Sequence, residues 1–262
     1  MKLTPKHLLL LVIIGMFVLI GTAEADTDKM TRRMSLAISG GASKGAYEAG
    51  LNWAALKIIL EFSGEKGPVL GGEYRPFEAV SFAGASAGGI NALLSGLTWC
   101  LLPESEGGLP NSVGDNMFRN VWLLPDINRL LPSTANSPYY LPDDALLSRK
   151  DLLDAANGLR DNWNTPSFRN GCRVPLGVTV TRVEPEVHHV GDIEVQNQRF
   201  YIPFELRVQT DNTVAFAFDP ADYPTVRDPA RILLPRRDGT PPFSISDQQI
   251  VKSVLISSAF PV

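Results

Sequence analysis

The alternation of apolar and polar positions divides this chain into strand-like and helix-like stretches that follow one another in turn. Met34 to Ser39 reads as a short strand, and Ala46 to Ile59 carries apolar residues at helical spacing. Phe77 to Ala83 is again strand-like, with Val80 and Phe82 as strand formers, and Ile90-Asn91-Ala92-Leu93-Leu94 opens a buried helix. Val174 to Val183 and Arg199 to Val208 predict sheet. Two capping boxes mark helix starts: Ser148-Arg149-Lys150-Asp151 predicts a helix to about Leu159, and Ser246-Asp247-Gln248-Gln249 one to about Ser258. Strand, loop and helix units followed by more sheet place the chain in the α/β class. Over residues 102–145 the texture changes, because Pro103, Pro110, Pro125, Pro132, Pro138 and Pro142 break the chain around Asn116 to Leu124 and Asp126 to Leu131. The apolar side chains there, Met117, Phe118, Val121, Trp122, Leu123 and Leu124, cannot build a core alone. This stretch reads as a cap or lid over a site on a single domain of residues 33–262.

The N-terminus has a different pattern. Lys2 and Lys6 precede an unbroken apolar run, Leu8 to Ile20, and Ala23-Glu24-Ala25 offers a cleavage site before Asp26. The run falls short of the roughly twenty residues a membrane helix needs, so residues 1–25 are expected to be a secretory signal peptide and the chain to be exported, to periplasm or medium. No cysteine follows the run to take a lipid anchor. Net charge is −4, which argues against nucleic acid as a partner and against a polybasic membrane patch; contact with a membrane would have to be hydrophobic. Cys100 and Cys172 are the only cysteines. An exported chain can pair them, but sequence carries no distance and leaves the pairing open.

Chemistry concentrates in two glycine clusters, each between a strand and a helix. The first is Gly40-Gly41-Ala42-Ser43-Lys44-Gly45, a loop suited to presenting backbone N–H groups to a negative charge at a helix N-terminus. It is no P-loop, since Lys44 precedes Gly45, and no dinucleotide fingerprint, since Ala42 stands where that pattern needs glycine. The second is Gly84-Ala85-Ser86-Ala87-Gly88, a Gly-x-Ser-x-Gly pentapeptide that places Ser86 at a sharp strand-to-helix turn, the nucleophile elbow of serine hydrolases.

Together the two clusters resemble the patatin-like phospholipase family, whose pattern is a Gly-Gly-Gly-x-Arg/Lys-Gly oxyanion loop, a Gly-x-Ser-x-Gly elbow and a later Asp-Gly-Gly or Asp-Gly-Ala. Here alanine replaces the third glycine of the loop and Lys44 fills the basic position, while the elbow matches without departure. Ser257-Ser258-Ala259-Phe260-Pro261 is similar to the Ala-Ser-x-Ala-x-Pro segment that precedes the family's catalytic aspartate. The resemblance implies a three-layer α/β fold with a central, mainly parallel sheet flanked by helices. It also implies an acyl hydrolase that cleaves lipid esters through a Ser-Asp dyad. In it Ser86 is the nucleophile, the amides around Gly41 and Ala42 hold the oxyanion, a lipid or phospholipid is the substrate met transiently at a membrane surface, and no metal or organic cofactor is required.

The aspartate of that dyad is missing from its motif. The one Asp-Gly, Asp238-Gly239, precedes the Ser257 segment and runs into Thr240-Pro241-Pro242, so it reads as a turn, and the base is expected beyond Val262. Two other readings stay open. A histidine-dependent α/β-hydrolase could take its base from His188-His189, which read as the end of a strand, with side chains on opposite faces; a non-catalytic lipid-binding protein could keep the fold without the dyad. Lys44 is expected to position charge, and Glu48 to lie on the surface within reach of Lys44 one turn away. Trp53, Trp99, Trp122 and Trp163 are expected in the core or the cap.

Overall fold

The computed structural model describes residues 32–41, 44–62, 77–123, 127–131, 148, 150–222 and 240–258. The leader, Ala42 and Ser43, most of the proline-rich stretch beyond Leu131, Asp238-Gly239 and the residues after Ser258 lie outside them. The elements run β1 (Arg32–Ile38), α1 (Gly45–Phe62), β2 (Phe77–Ala85), α2 (Ala87–Cys100), α3 (Met117–Trp122), α4 (Ile127–Leu130), α5 (Lys150–Asn162), β3 (Arg173–Val190), β4 (Ile193–Val208), β5 (Val214–Phe218), β6 (Phe243–Ile245) and α6 (Asp247–Ser258). No helix among the described residues is long and apolar enough to cross a membrane.

The strands form one sheet in chain order, β1 to β6. The α/β class holds, with a mixed sheet: β1, β2 and β3 are parallel, and β4, β5 and β6 are added antiparallel. Parallel neighbours end at the same edge. Ile38 therefore stands beside Gly84, and both glycine clusters leave the sheet together at the carboxyl ends of their strands, where open α/β sheets bind ligands. Right-handed crossovers between strands laid down in sequence put successive helices on the same face. α2 packs there on β1, β2 and β3, with α1 beside it and α6 on its other flank.

The core follows from that layering. Leu36, Phe82, Leu176 and Phe204 form one row across four strands beneath the helices. Trp163 closes the β5 end, its ring 5.2 Å from that of Phe216. On the opposite face the corresponding row is Ala37, Ala83 and Gly177, with both alanines exposed. The second helical layer that a three-layer fold requires is not among the described residues.

Met117, Phe118 and Val121 of α3 are buried in the same core as the sheet, so this part of the expected cap is anchored to the domain. Asn116 caps α3 by accepting the Arg119 N–H at 2.9 Å. At the far end of α2, Cys100 and Cys172 form a disulfide with Cα atoms 5.7 Å apart, which answers the pairing that sequence left open. Arg169 backs this junction. Its N–H donates to the Cys100 carbonyl at 2.8 Å, its guanidinium donates to the Trp99 carbonyl and lies 5.2 Å from the Trp99 ring, and burial pushes its pKa below the usual arginine range.

β3 and β4 run further than predicted, to Val190 and from Ile193, and join through a tight turn at Gly191, where φ is 63°. The cause is pairing. Beyond Thr181 Asn197 is the one buried side chain among the described residues of the two segments up to the turn, so burial periodicity stops, yet Glu186 to Val190 ladders onto Ile193 to Asn197 as a two-stranded arm.

Candidate active site

Each glycine cluster is shaped by the strand before it and the helix after it. β2 delivers Ala85 at the sheet edge, α2 begins at Ala87, and Ser86 makes the whole reversal with φ 55° and ψ −126°. That conformation is left-handed and strained, on the order of 1–3 kcal/mol for a non-glycine residue, and it is held by bonds on both sides. The Ser86 carbonyl accepts the Gly89 N–H at 2.8 Å. The Ser86 N–H donates to Ser257 Oγ at 3.0 Å, and the Ser257 hydroxyl donates in turn to the Thr179 carbonyl at 2.6 Å. Ser257, on α6, thus ties the elbow to β3.

Gly40 brings the first cluster against the second. A Cβ at this position would lie 2.6 Å from the Ala85 carbonyl oxygen and 2.8 Å from Ser86 Cβ, so only glycine lets the loop pass beside the elbow. Gly88 does the same from the other side, since a Cβ there would meet the Ile38 and Ser39 carbonyl oxygens at 2.3 and 2.5 Å. The loop then turns into α1. Gly41 O accepts the Lys44 and Gly45 N–H groups at 3.1 and 2.9 Å, so these two amides start the helix and are not free to hold an oxyanion. Of the six residues expected to form the oxyanion loop, Gly40 sets the approach, Gly41 has an N–H with no acceptor among the described residues, and Ala42 and Ser43 lie outside those residues. Ala87, the first residue of α2, adds an N–H with no intrahelical acceptor.

A residue that sequence reasoning passed over locks the two helices together. Asn91, fully buried on α2, donates from Nδ2 to the Gly45 carbonyl at 3.0 Å and accepts the Trp122 indole N–H on Oδ1 at 2.7 Å. Its signal was a polar residue inside an apolar helical run. Glu48 departs from expectation. It makes no ion pair with Lys44; its Oε1 accepts the Ser39 hydroxyl at 2.7 Å and its Oε2 is enclosed without a partner among the described residues. The competing partner was the short hydroxyl at the end of β1, which the helical i,i+4 rule does not see.

The histidines lie elsewhere. Thr179 pairs with Ala85, and on β4 the partners of Thr179 and His188, Tyr201 and Val195, are six residues apart, so at about 3.3 Å per residue the imidazoles are roughly 20 Å from the elbow, exposed on the arm. His188 Nε2 instead sits 3.7 Å from Glu186. Neither can take the Ser86 proton. Among the described residues no carboxylate or imidazole hydrogen-bonds to the Ser86 hydroxyl.

The arrangement brings together features that suit developing negative charge beside a hydroxyl. A half-buried hydroxyl stands on a strained turn, beside a glycine loop and at the start of a helix whose dipole favours developing negative charge. Compared with protein-family models, with curated proteins and with solved structures, the chain matches none of them.

Proposed function

We propose that the chain is an exported serine acyl hydrolase of the patatin-like type, cleaving ester bonds of lipids. The observation that carries the reading is the backbone of Ser86, a non-glycine residue held at φ 55° between a parallel strand and a helix. Nothing in the packing of β2 or α2 needs a serine there, and strain of this kind gathers where a side chain must be presented to a reactant. The second support is the close approach of Gly40 to Ser86, which brings the next residue, Gly41, whose N–H has no acceptor among the described residues, to the side of the elbow.

In this reading Ser86 Oγ attacks the ester carbonyl and its proton passes to a base. The tetrahedral oxyanion is held by the Ala87 N–H and by amides of the Gly41-Ala42 stretch. The alcohol leaves with that proton, and water then attacks the acyl-enzyme by the reverse sequence. The base is a carboxylate from outside the described residues, as the Ser-Asp dyad of the resemblance implies.

Labelling with a fluorophosphonate probe and mapping of the modified peptide test the reading. Label on Ser86, lost in Ser86→Ala together with ester hydrolysis, supports it. A correctly folded chain that takes no label, or one that keeps its label in Ser86→Ala, overturns it.

A further inference from the structure

The peptide that carries the Gly41 N–H joins two glycines, so neither flanking side chain restricts its rotation, and Gly41 stands at φ 153°, in a region that side chains disfavour. A donor to an oxyanion is effective only when it is held in place before the reaction begins, and a pair of glycines does not hold itself. The ties must come from either side. After the peptide, the Gly41 carbonyl accepts the Lys44 and Gly45 N–H groups and is fixed to the start of α1. Before it, the register of β1 with β2 ends at the Ile38–Gly84 pair, and just beyond that pair a side chain supplies a tie. The Ser39 hydroxyl donates to Glu48 Oε1 at 2.7 Å.

Glu48 suits the part of an anchor. Its own N–H donates to the Lys44 carbonyl at 2.8 Å, so the carboxylate belongs to the same helical start that holds the Gly41 carbonyl. That start is tied to α2 by Asn91, whose Nδ2 donates to the Gly45 carbonyl at 3.0 Å. α2 in turn opens on Ala87, the other residue with an N–H available to an oxyanion. A continuous path of hydrogen bonds and helix backbone therefore joins the two amides, and Glu48 stands on it.

Stability alone does not account for this carboxylate. Glu48 Oε2 is enclosed without a partner among the described residues, as is Asn52 Nδ2 one turn further along α1. A carboxylate oxygen shut away from water with no donor lowers stability, and an enclosed polar group left in that condition beside a reactive loop points to a constraint other than packing.

Resting on the acyl hydrolase reading, we infer that Glu48 is a positioning residue of the oxyanion loop: through the Ser39 hydroxyl it fixes the Gly40-Gly41 peptide and keeps the Gly41 N–H beside the elbow. Glu48 itself touches neither the substrate nor the Ser86 proton. Amides of this kind bind the tetrahedral oxyanion more strongly than the ester, so loosening one lowers kcat and leaves KM.

Full-length wild type, Glu48→Ala, Ser39→Ala, the double variant and Glu48→Gln are compared by hydrolysis of p-nitrophenyl butyrate, by the rate of fluorophosphonate labelling and by thermal melts. Each single alanine variant should lose about tenfold in kcat and in labelling rate, with KM within about twofold of wild type. The double variant should lose no more than either single one, because all three remove the same tie. Glu48→Gln keeps an oxygen for the Ser39 hydroxyl and should recover the rate to within about threefold of wild type. A lowered melting midpoint with kcat unchanged would make Glu48 a structural residue and overturn the inference. Losses that multiply in the double variant, or a glutamine variant as slow as the alanine one, overturn it too. Ser39→Ala removes only an exposed hydroxyl, and it decides the matter by itself if Glu48→Ala does not fold. A folded wild type that takes no label sinks the hydrolase reading and the role of Glu48 with it; a labelled wild type with unimpaired variants sinks the role alone.

Discussion

Replacing Ser257 with alanine isolates what holds the elbow. The hydroxyl serves two backbone groups at once, accepting the Ser86 N–H at 3.0 Å and donating to the Thr179 carbonyl at 2.6 Å, in a side chain only 8% exposed. Ser257→Ala leaves a donor and an acceptor without partners, at about 1–3 kcal/mol for each group that stays dry. With partial relaxation, about 2–4 kcal/mol of stability is lost, and at roughly 2–4 °C per kcal/mol for a chain of this size the melting midpoint falls by about 5–10 °C. The second effect is on reactivity. Ser86 is itself strained by on the order of 1–3 kcal/mol, and without the bond to its N–H it can relax out of that conformation. A displacement of about 1 Å at a reacting atom costs on the order of a hundredfold in rate. Circular dichroism melts and the second-order rate of fluorophosphonate labelling, measured well below the midpoint, read the two effects separately. A lowered midpoint with an unchanged labelling rate would show that Ser257 is a structural tie and does not position the nucleophile. An unchanged midpoint as well would refute the reasoning entirely.

Three further outcomes follow from the geometry. Gly40→Ala, whose Cβ would press on the Ala85 carbonyl oxygen at 2.6 Å, should slow labelling about a hundredfold by shifting the loop and the elbow apart, with the labelling time course as the check. Removing the disulfide with Cys100→Ser/Cys172→Ser should cost about 4 kcal/mol by chain entropy for a separation of 72 residues, read from urea unfolding of the variant against the oxidised parent. His188→Ala and His189→Ala should each leave the labelling rate within about twofold; a loss approaching ten-thousandfold in either would show that the arm reaches the site after all.

What was legible in the sequence was local. Both glycine clusters lie between the strand and helix that flank them, because glycine spacing and apolar runs act over a few residues. The second capping box is fully formed: Ser246 Oγ accepts the Gln249 N–H at 3.3 Å, and Gln249 Oε1 accepts the Ser246 N–H at 2.9 Å. The first is partial, since Ser148 Oγ accepts the Lys150 N–H while Asp151 turns to Arg129 at 3.5 Å. β5 and β6 were not foreseen. Val214 to Phe218 and Phe243 to Ile245 are too short for a period to declare itself, and they become strands only by pairing with β4 and with each other. Long-range ties were equally invisible. Asn91 stands out as a polar residue in an apolar run, but nothing along the chain names the backbone groups that Asn91 and Ser257 reach, 46 and 171 residues away.

The projecting β3–β4 hairpin offers a handle for display and attachment. Its turn at Gly191-Asp192 is exposed, and the strained Ser86 lies beside Thr179, well before the arm begins. A fluorophore, affinity tag or whole domain spliced into that turn would leave the register of β1, β2 and β3 undisturbed, and it would stand out from the same carboxyl edge of the sheet that carries the elbow.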